Sequence, residues 1–313
     1  MKMKKIYFLL LLFVGSFASN AQQDPQSSFY FNNPLSYNPA YAGTRGTLNM
    51  NMVHRSQWIG WDGAPSTQYI SVNAPVARQR IGLGTNLTFD KTGARNSVDW
   101  MNHASFQMQL NPNNLRLSLG VSGGIQKFQY DFNGLSVTNP NDPNFTTPYN
   151  KSQANFGAGA YLYKVASDNN VRQASYFVGL SVPHLIERNI DNNTGNAISQ
   201  RHYFLTGGYV FPINSVTDIR TSALMKFTKN SPAAMEVNVS ALFYKQFWIG
   251  SMYRIGEGLG FNTSYQINDN LMIGYAFDLP MNSMKLNQWG NHEVVISFDI
   301  RPRNNAFVSP RYF

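Results

Sequence analysis

The sequence has no cysteine among its 313 residues. That excludes disulfides, thiol chemistry and lipidation at an amino-terminal cysteine. Long apolar runs are missing too, apart from the stretch Ile6 to Phe13 near the start. Lys2, Lys4 and Lys5 precede that stretch, and Ser19-Asn20-Ala21 follows it with small residues suited to a signal peptidase. A bilayer needs about 20 apolar residues, so residues 1–21 read as a secretory signal cleaved near Ala21 rather than as an anchor. No later stretch offers a spanning helix. Charge is scarce: Asp, Glu, Lys and Arg make up 13% of the chain, well under the usual quarter for soluble domains. Aromatics, by contrast, reach 14%.

Signatures of chemistry are also absent. The five histidines, His54, His103, His184, His202 and His292, stand at no metal-ligand spacing with one another or with paired carboxylates. There is no Gly-x-Ser-x-Gly elbow and no His-Glu-x-x-His motif. Gly82-Leu83-Gly84 and the glycines from Gly256 to Gly260 lack the following helix of a nucleotide loop. They read as strand glycines at tight bends or aromatic-packed positions. The formal net charge is +9, but the cations are scattered, the tightest cluster being Arg78-Gln79-Arg80. No basic stripe for nucleic acid results. These absences predict a protein that is no enzyme, holds no cofactor or metal, and has no nucleic-acid partner.

What the chain does have is alternation. In Leu115-Arg116-Leu117-Ser118-Leu119-Gly120-Val121-Ser122 the odd positions are apolar and the even ones small or polar. The same period of two runs through Met235, Val237, Val239, Ala241 and Phe243, and through Val294, Ile296, Phe298 and Ile300. Glycine and asparagine punctuate most runs. We count fourteen strands, starting near Thr47, Gln68, Arg80, Ser97, Asn114, Gln153, Ser175, Arg201, Thr217, Ala234, Phe247, Gly258, Leu271 and His292. Long connections fall mostly after odd-numbered strands and tight turns after even-numbered ones. That asymmetry belongs to outer-membrane barrels, which put short turns in the periplasm and long loops outside. A β-sandwich also alternates, but its usual domain is far shorter. The expected fold is therefore all-β: a transmembrane antiparallel β-barrel of about 14 strands over residues 47–313, bathed in outer-membrane lipid.

Residues 22–46 fit neither helix nor strand. Pro25, Pro34 and Pro39 break helical periodicity, while Phe29, Tyr30, Phe31, Tyr37 and Tyr41 argue against simple disorder. This segment reads as a plug-like piece packing at the barrel mouth or in its lumen. Trp58, Trp61, Trp248, Tyr253, Tyr265, Tyr275 and Trp289 sit near expected strand ends, as an interfacial aromatic girdle would, core packing being the other reading.

Certain motifs go further. They are Gln23-Asp24-Pro25, Asn38-Pro39-Ala40-Tyr41-Ala42-Gly43, Arg55-Ser56-Gln57-Trp58-Ile59-Gly60, Gly63-Ala64-Pro65-Ser66-Thr67-Gln68, Gly179-Leu180-Ser181-Val182-Pro183-His184-Leu185 and Arg201-His202-Tyr203-Phe204. Later come Ile273-Gly274-Tyr275-Ala276-Phe277-Asp278, Gly290-Asn291-His292-Glu293 and the terminal Ser309-Pro310-Arg311-Tyr312-Phe313. In these the chain resembles the PorP/SprF family of type IX secretion system outer-membrane proteins from Bacteroidota, and the resemblance runs the whole length. It implies a role in secretion or gliding motility. The partners would be other secretion-machine components and secreted or surface proteins with a C-terminal targeting domain. It marks Asn38, Pro39, Ala40, Tyr41, Gly43, Arg55, Gln57, Trp58, Pro183, His184, Arg201 and His202 as motif residues, and it implies no catalytic residue. In the two longest loops Phe145, Tyr149 and Ile190 are the apolar candidates for partner binding. The other functional class left open is a diffusion channel or a carrier for hydrophobic ligands.

Overall fold

A computed structural model describes residues 26–77, 79–112, 114–132, 149–164, 175–189, 198–229, 231–281 and 288–300. Two 3-10 turns, Pro34–Ser36 and Pro39–Tyr41, precede sixteen strands: β1 (Leu48–Ser56), β2 (Ser66–Val76), β3 (Ile81–Thr92), β4 (Arg95–Gln109), β5 (Leu115–Tyr130), β6 (Tyr149–Lys164), β7 (Ser175–Val182), β8 (Arg188–Asn189), β9 (Ile198–Ser199), β10 (His202–Pro212), β11 (Thr217–Thr228), β12 (Ala234–Phe243), β13 (Phe247–Arg254), β14 (Gly258–Gln266), β15 (Leu271–Pro280) and β16 (Asn291–Ile300). Fourteen of them form one closed barrel, each bonded to its neighbours in sequence, with β8 and β9 set aside as a two-stranded hairpin. The seam is antiparallel, from Leu48 opposite Ile300 to Ser56 opposite His292. Closure removes every sheet edge, which a lipid environment requires.

The alternation decides which face goes where. On β5, Leu119, Val121 and Ile125 are exposed, while Ser118, Gly120, Ser122 and Gln126 are buried. On β12, Glu236, Asn238 and Ser240 are fully buried. A water-soluble barrel would do the reverse. An apolar outside around a polar inside is a barrel built for lipid, and no helix among the described residues is long and apolar enough to cross a membrane. Arginine at a lipid-facing midplane site costs about 2–4 kcal/mol. Val121→Arg is therefore expected to lower the folded fraction in a heat-modifiability gel. Ser97→Arg, which points its side chain into an internal cavity, should leave it nearly unchanged.

Strand positions agree with the periodicity to within a few residues. The largest shift is β6, which begins at Tyr149 rather than near Gln153. Asn150, Lys151 and Ser152 look like loop but pair with Gln129, Phe128 and Lys127, extending the hairpin. One end of the barrel carries the connections 57–65, 131–148, 183–201 and 281–290, and the other the turns 77–80, 110–114, 213–216, 244–246 and 267–270.

Two expectations need correcting. Trp248 belongs to no girdle: it is buried, facing inward, with the Arg220 guanidinium 4.3 Å over its ring. Gly82 and Gly84 are not at bends or against aromatics but lie within the first third of β3, against Ala42 and Leu35 of the chain that fills the interior.

Candidate functional site

The interior of the barrel holds residues 26–47. Nearly all of them, from Ser28 through Thr47, are buried. Phe29, Tyr30, Phe31 and Tyr37 pack with Val53, Leu224, Met252, Met272 and Val295 from the strands. Leu35, Ala40, Tyr41 and Ala42 pack with Tyr161, Tyr163, Phe177 and Val210 from the opposite side. A segment that touches both walls of a closed barrel lies inside it.

Three fixings hold the segment, and each follows from residue chemistry. The first is a clamp near the long-loop end. Arg55, at the end of β1, is 1% exposed. Its Nη2 donates to Asp278 Oδ2 at 2.6 Å and its Nη1 to Glu293 Oε2 at 2.8 Å. Nη1 also donates to Ser28 Oγ at 2.6 Å, and that hydroxyl in turn donates to Asp278. The Glu293 carboxylate accepts the backbone N–H of Ser28 at 2.8 Å, that of Phe29 at 3.1 Å, and the Ser27 hydroxyl. Beside it, Arg254 is paired with Glu236 at 2.6 Å and Gln26 donates to the same carboxylate at 3.3 Å. A buried guanidinium is tolerated only when its charge is matched and most of its donors are used, as here.

The second fixing is shape. Asn38 caps the turn Pro39–Tyr41, its Oδ1 accepting from the Ala40 N–H at 3.0 Å and its Nδ2 donating to the Ala160 carbonyl at 3.2 Å. Pro39 opens that turn, where its missing N–H costs nothing. The turn lies on a wall of glycines. A methyl group added at Gly82 would overlap the Ala42 carbonyl, at Gly120 the Ala40 nitrogen, and at Gly159 the Asn38 side-chain oxygen. Gly43 has φ +69°, which a glycine adopts readily, and its N–H donates to Asn73 Oδ1 at 3.0 Å. Ser105 and Gln107 donate to the Ala42 carbonyl at 2.8 and 3.3 Å, and Tyr41 meets Tyr161 edge-on at 5.7 Å.

The third is Arg45, paired with Asp299 at 2.7 Å near the short-turn end. Between the clamp and this pair, the Tyr30 and Ser222 hydroxyls bond at 2.9 Å, and Arg220 stands 3.8 Å over the Phe31 ring. A desolvated cation–π contact contributes about 2 kcal/mol.

Above the segment, toward the long loops, lies a cavity of about 130 Å³. Tyr30, Ser36 and Tyr37 of the segment line it, as do Pro183, His184 and His202. His184 Nε2 sits 3.3 Å from Asp99 Oδ2. Arg201 is half-buried and closes a loop instead, its Nη2 donating to the Leu185 carbonyl at 2.7 Å. Gln57 and Trp58 stand at the base of a long loop: the Gln57 N–H donates to the Pro65 carbonyl at 2.9 Å and the Trp58 N–H to Asn291 Oδ1 at 3.0 Å.

Nine of the twelve motif residues thus fall into two groups, while Gln57, Trp58 and Arg201 stand at loops. Asn38, Pro39, Ala40, Tyr41 and Gly43 at the glycine wall and Arg55 at the clamp hold the segment inside the barrel, and Pro183, His184 and His202 line the cavity. Phe145 and Ile190 lie outside the described residues, and so does the side chain of Tyr149. Sequence reasoning missed Asp278, Glu293, Glu236, Arg254 and the glycine wall as site residues. Asp278 and Glu293 stand within motifs of the resemblance, the one signal that could have marked them.

Fold and interior together define an outer-membrane β-barrel. Residues 19–298 match the model of the family described as type IX secretion system membrane protein PorP/SprF, and the chain belongs to that family. Among solved structures it is similar in fold to the Ralstonia pickettii toluene transporter TbuX, with TM-score 0.48, 10% identity, and coverage of 85% of this chain and 92% of that one. It is similar also to the CymD monoaromatic hydrocarbon channel, with TM-score 0.47, 11% identity, and coverage of 87% and 94%. For the Acinetobacter baumannii outer membrane protein Omp33 the TM-score is 0.45, with 10% identity and coverage of 82% and 100%. No curated protein matches the chain.

Proposed function

We propose that this chain is a non-catalytic docking barrel of the type IX secretion or gliding machinery, one that supports export or surface anchoring of partner proteins bearing a C-terminal targeting domain. The carrying observation is the interior: the chain's own residues 26–47 lie across the lumen, fixed by the Arg55 clamp, the glycine wall and the Arg45–Asp299 pair. A barrel so filled acts as a plugged platform rather than a pore, and its working surface is the long-loop end. A bacterial envelope, the cleaved signal over residues 1–21, and the division into a plug (22–46) and a barrel (47–313) belong to the same reading.

Interfaces draw most of their energy from a few buried anchors. In this reading those anchors include Phe145 and Ile190 in the loops 131–148 and 183–201, and Tyr149 where the first of these loops meets β6. Tyr149 begins β6, so the test deletes residues 139–147 only. We expect normal barrel assembly, loss of one secreted or surface-held protein from the cell exterior, and unchanged solute uptake. If deleting the whole gene leaves every exported protein in place and instead slows uptake of a nutrient, the docking reading fails and a channel replaces it.

A further inference from the structure

The first and last fixings of residues 26–47 lie at opposite mouths of the barrel. Gln26 and Ser28 bond Glu236, Asp278 and Glu293, which sit at the long-loop ends of β12, β15 and β16. Tyr30 bonds Ser222, midway along β11. Asn38 bonds Ala160 in the lower half of β6, and Ala42 accepts from Gln107 near the short-turn end of β4. Arg45 pairs with Asp299, one residue from the end of β16 at the short turns. The path between them is not a steady descent, since Asn32 reaches Met272 near the short-turn end of β15 and Tyr37 stacks on Phe204 near the long-loop end of β10, but the two ends of the segment are held at opposite mouths, so it crosses the lumen.

We propose that the amino-terminal side of this chain leaves the barrel through the long-loop mouth, making Gln26 and Ser27 part of the outward, partner-facing surface. This rests on the docking reading for the statement that the long loops face the exterior. An even strand count by itself would put both ends of the chain at the short-turn side. The threaded segment moves the amino-terminal end to the opposite mouth. Gln26 and Ser27 are partly exposed and line the cavity together with Pro183, His184 and His202. Its floor includes Tyr37 and Phe204, stacked at 5.8 Å. The cavity is about 130 Å³ and its lining sets Asp90, Arg95 and Asp99 beside Tyr37, Phe128 and Phe204, so it takes one side chain of a protein partner that has both a polar tip and an apolar body. A partner seated there touches the end of the segment whose other contacts are the Glu293 and Glu236 clamps.

The chain contains no cysteine, so single-cysteine labelling is clean. Three variants are compared on intact and lysed cells with a membrane-impermeant maleimide: Gln26→Cys, Asp62→Cys in an exposed long loop, and Lys245→Cys in an exposed short turn. The expected result is that Q26C and D62C label on intact cells and K245C only after lysis. Labelling of Q26C only after lysis, with D62C labelled before it, would overturn the proposal while leaving the docking reading standing. Labelling of Q26C only after the barrel is unfolded would overturn it as well. If D62C itself needs lysis, the orientation fails first, and the exterior placement with it.

Discussion

Arg55→Met is expected to destabilise the barrel by about 3–5 kcal/mol, the cost of leaving buried charges unmatched when one partner is removed. Arg55 neutralises Asp278 and Glu293 at once and also holds Ser28. Without it, Asp278 keeps only Arg254 as a cation, at 3.6 Å, and Glu293 keeps only donors from residues 27–29. Those residues are then the first to let go. Arg55→Lys preserves the charge but not the fork that reaches two carboxylates, so it should fall between the two. Urea titration in detergent measures the loss, and limited proteolysis reads release of residues 26–47. Equal urea midpoints for the wild type and R55M would show that the clamp holds nothing.

The second large effect comes from adding bulk where there is none to spare. Gly120→Val places a branched side chain into the backbone of Ala40. Overpacking costs about 1–3 kcal/mol, and backbone cannot rotate away as a side chain can, so the upper end applies. About 3 kcal/mol corresponds to roughly a hundredfold more of the released segment. The strand itself tolerates valine, a residue that favours pleated structure. Protease should therefore cut within residues 26–47 and spare the barrel. Gly123→Val is the control: it lies on the same strand, its side chain points outward, and an added methyl meets only the Phe156 ring at 3.3 Å. If G120V and G123V resist protease equally, the segment does not lean on the glycine wall.

These two sites also mark where sequence reading stops. The strands are legible because a period of two and a glycine or asparagine at a turn are local signals, visible within ten residues of one another. The Arg55–Glu293 pair spans 238 positions. It exists because closure sets Arg55 opposite Glu293 across the seam, and no local pattern encodes that register. The motif from Asn38 to Gly43 stands out as sequence, but its reason lies in Gly82, Gly120 and Gly159, distant strand glycines that no local pattern ties to it. Trp248 shows the converse. An aromatic near a strand end looks interfacial until Arg220 and Phe31 are placed beside it inside the barrel.

The claim on which the account rests is that the lumen is filled by the protein's own chain. Ion conductance across a planar bilayer holding the purified full-length protein tests it most directly. The account predicts no steady conductance for the wild type and open, voltage-independent current once Gly120→Val frees the segment. Steady conductance of the wild type, unchanged by Gly120→Val, would contradict it.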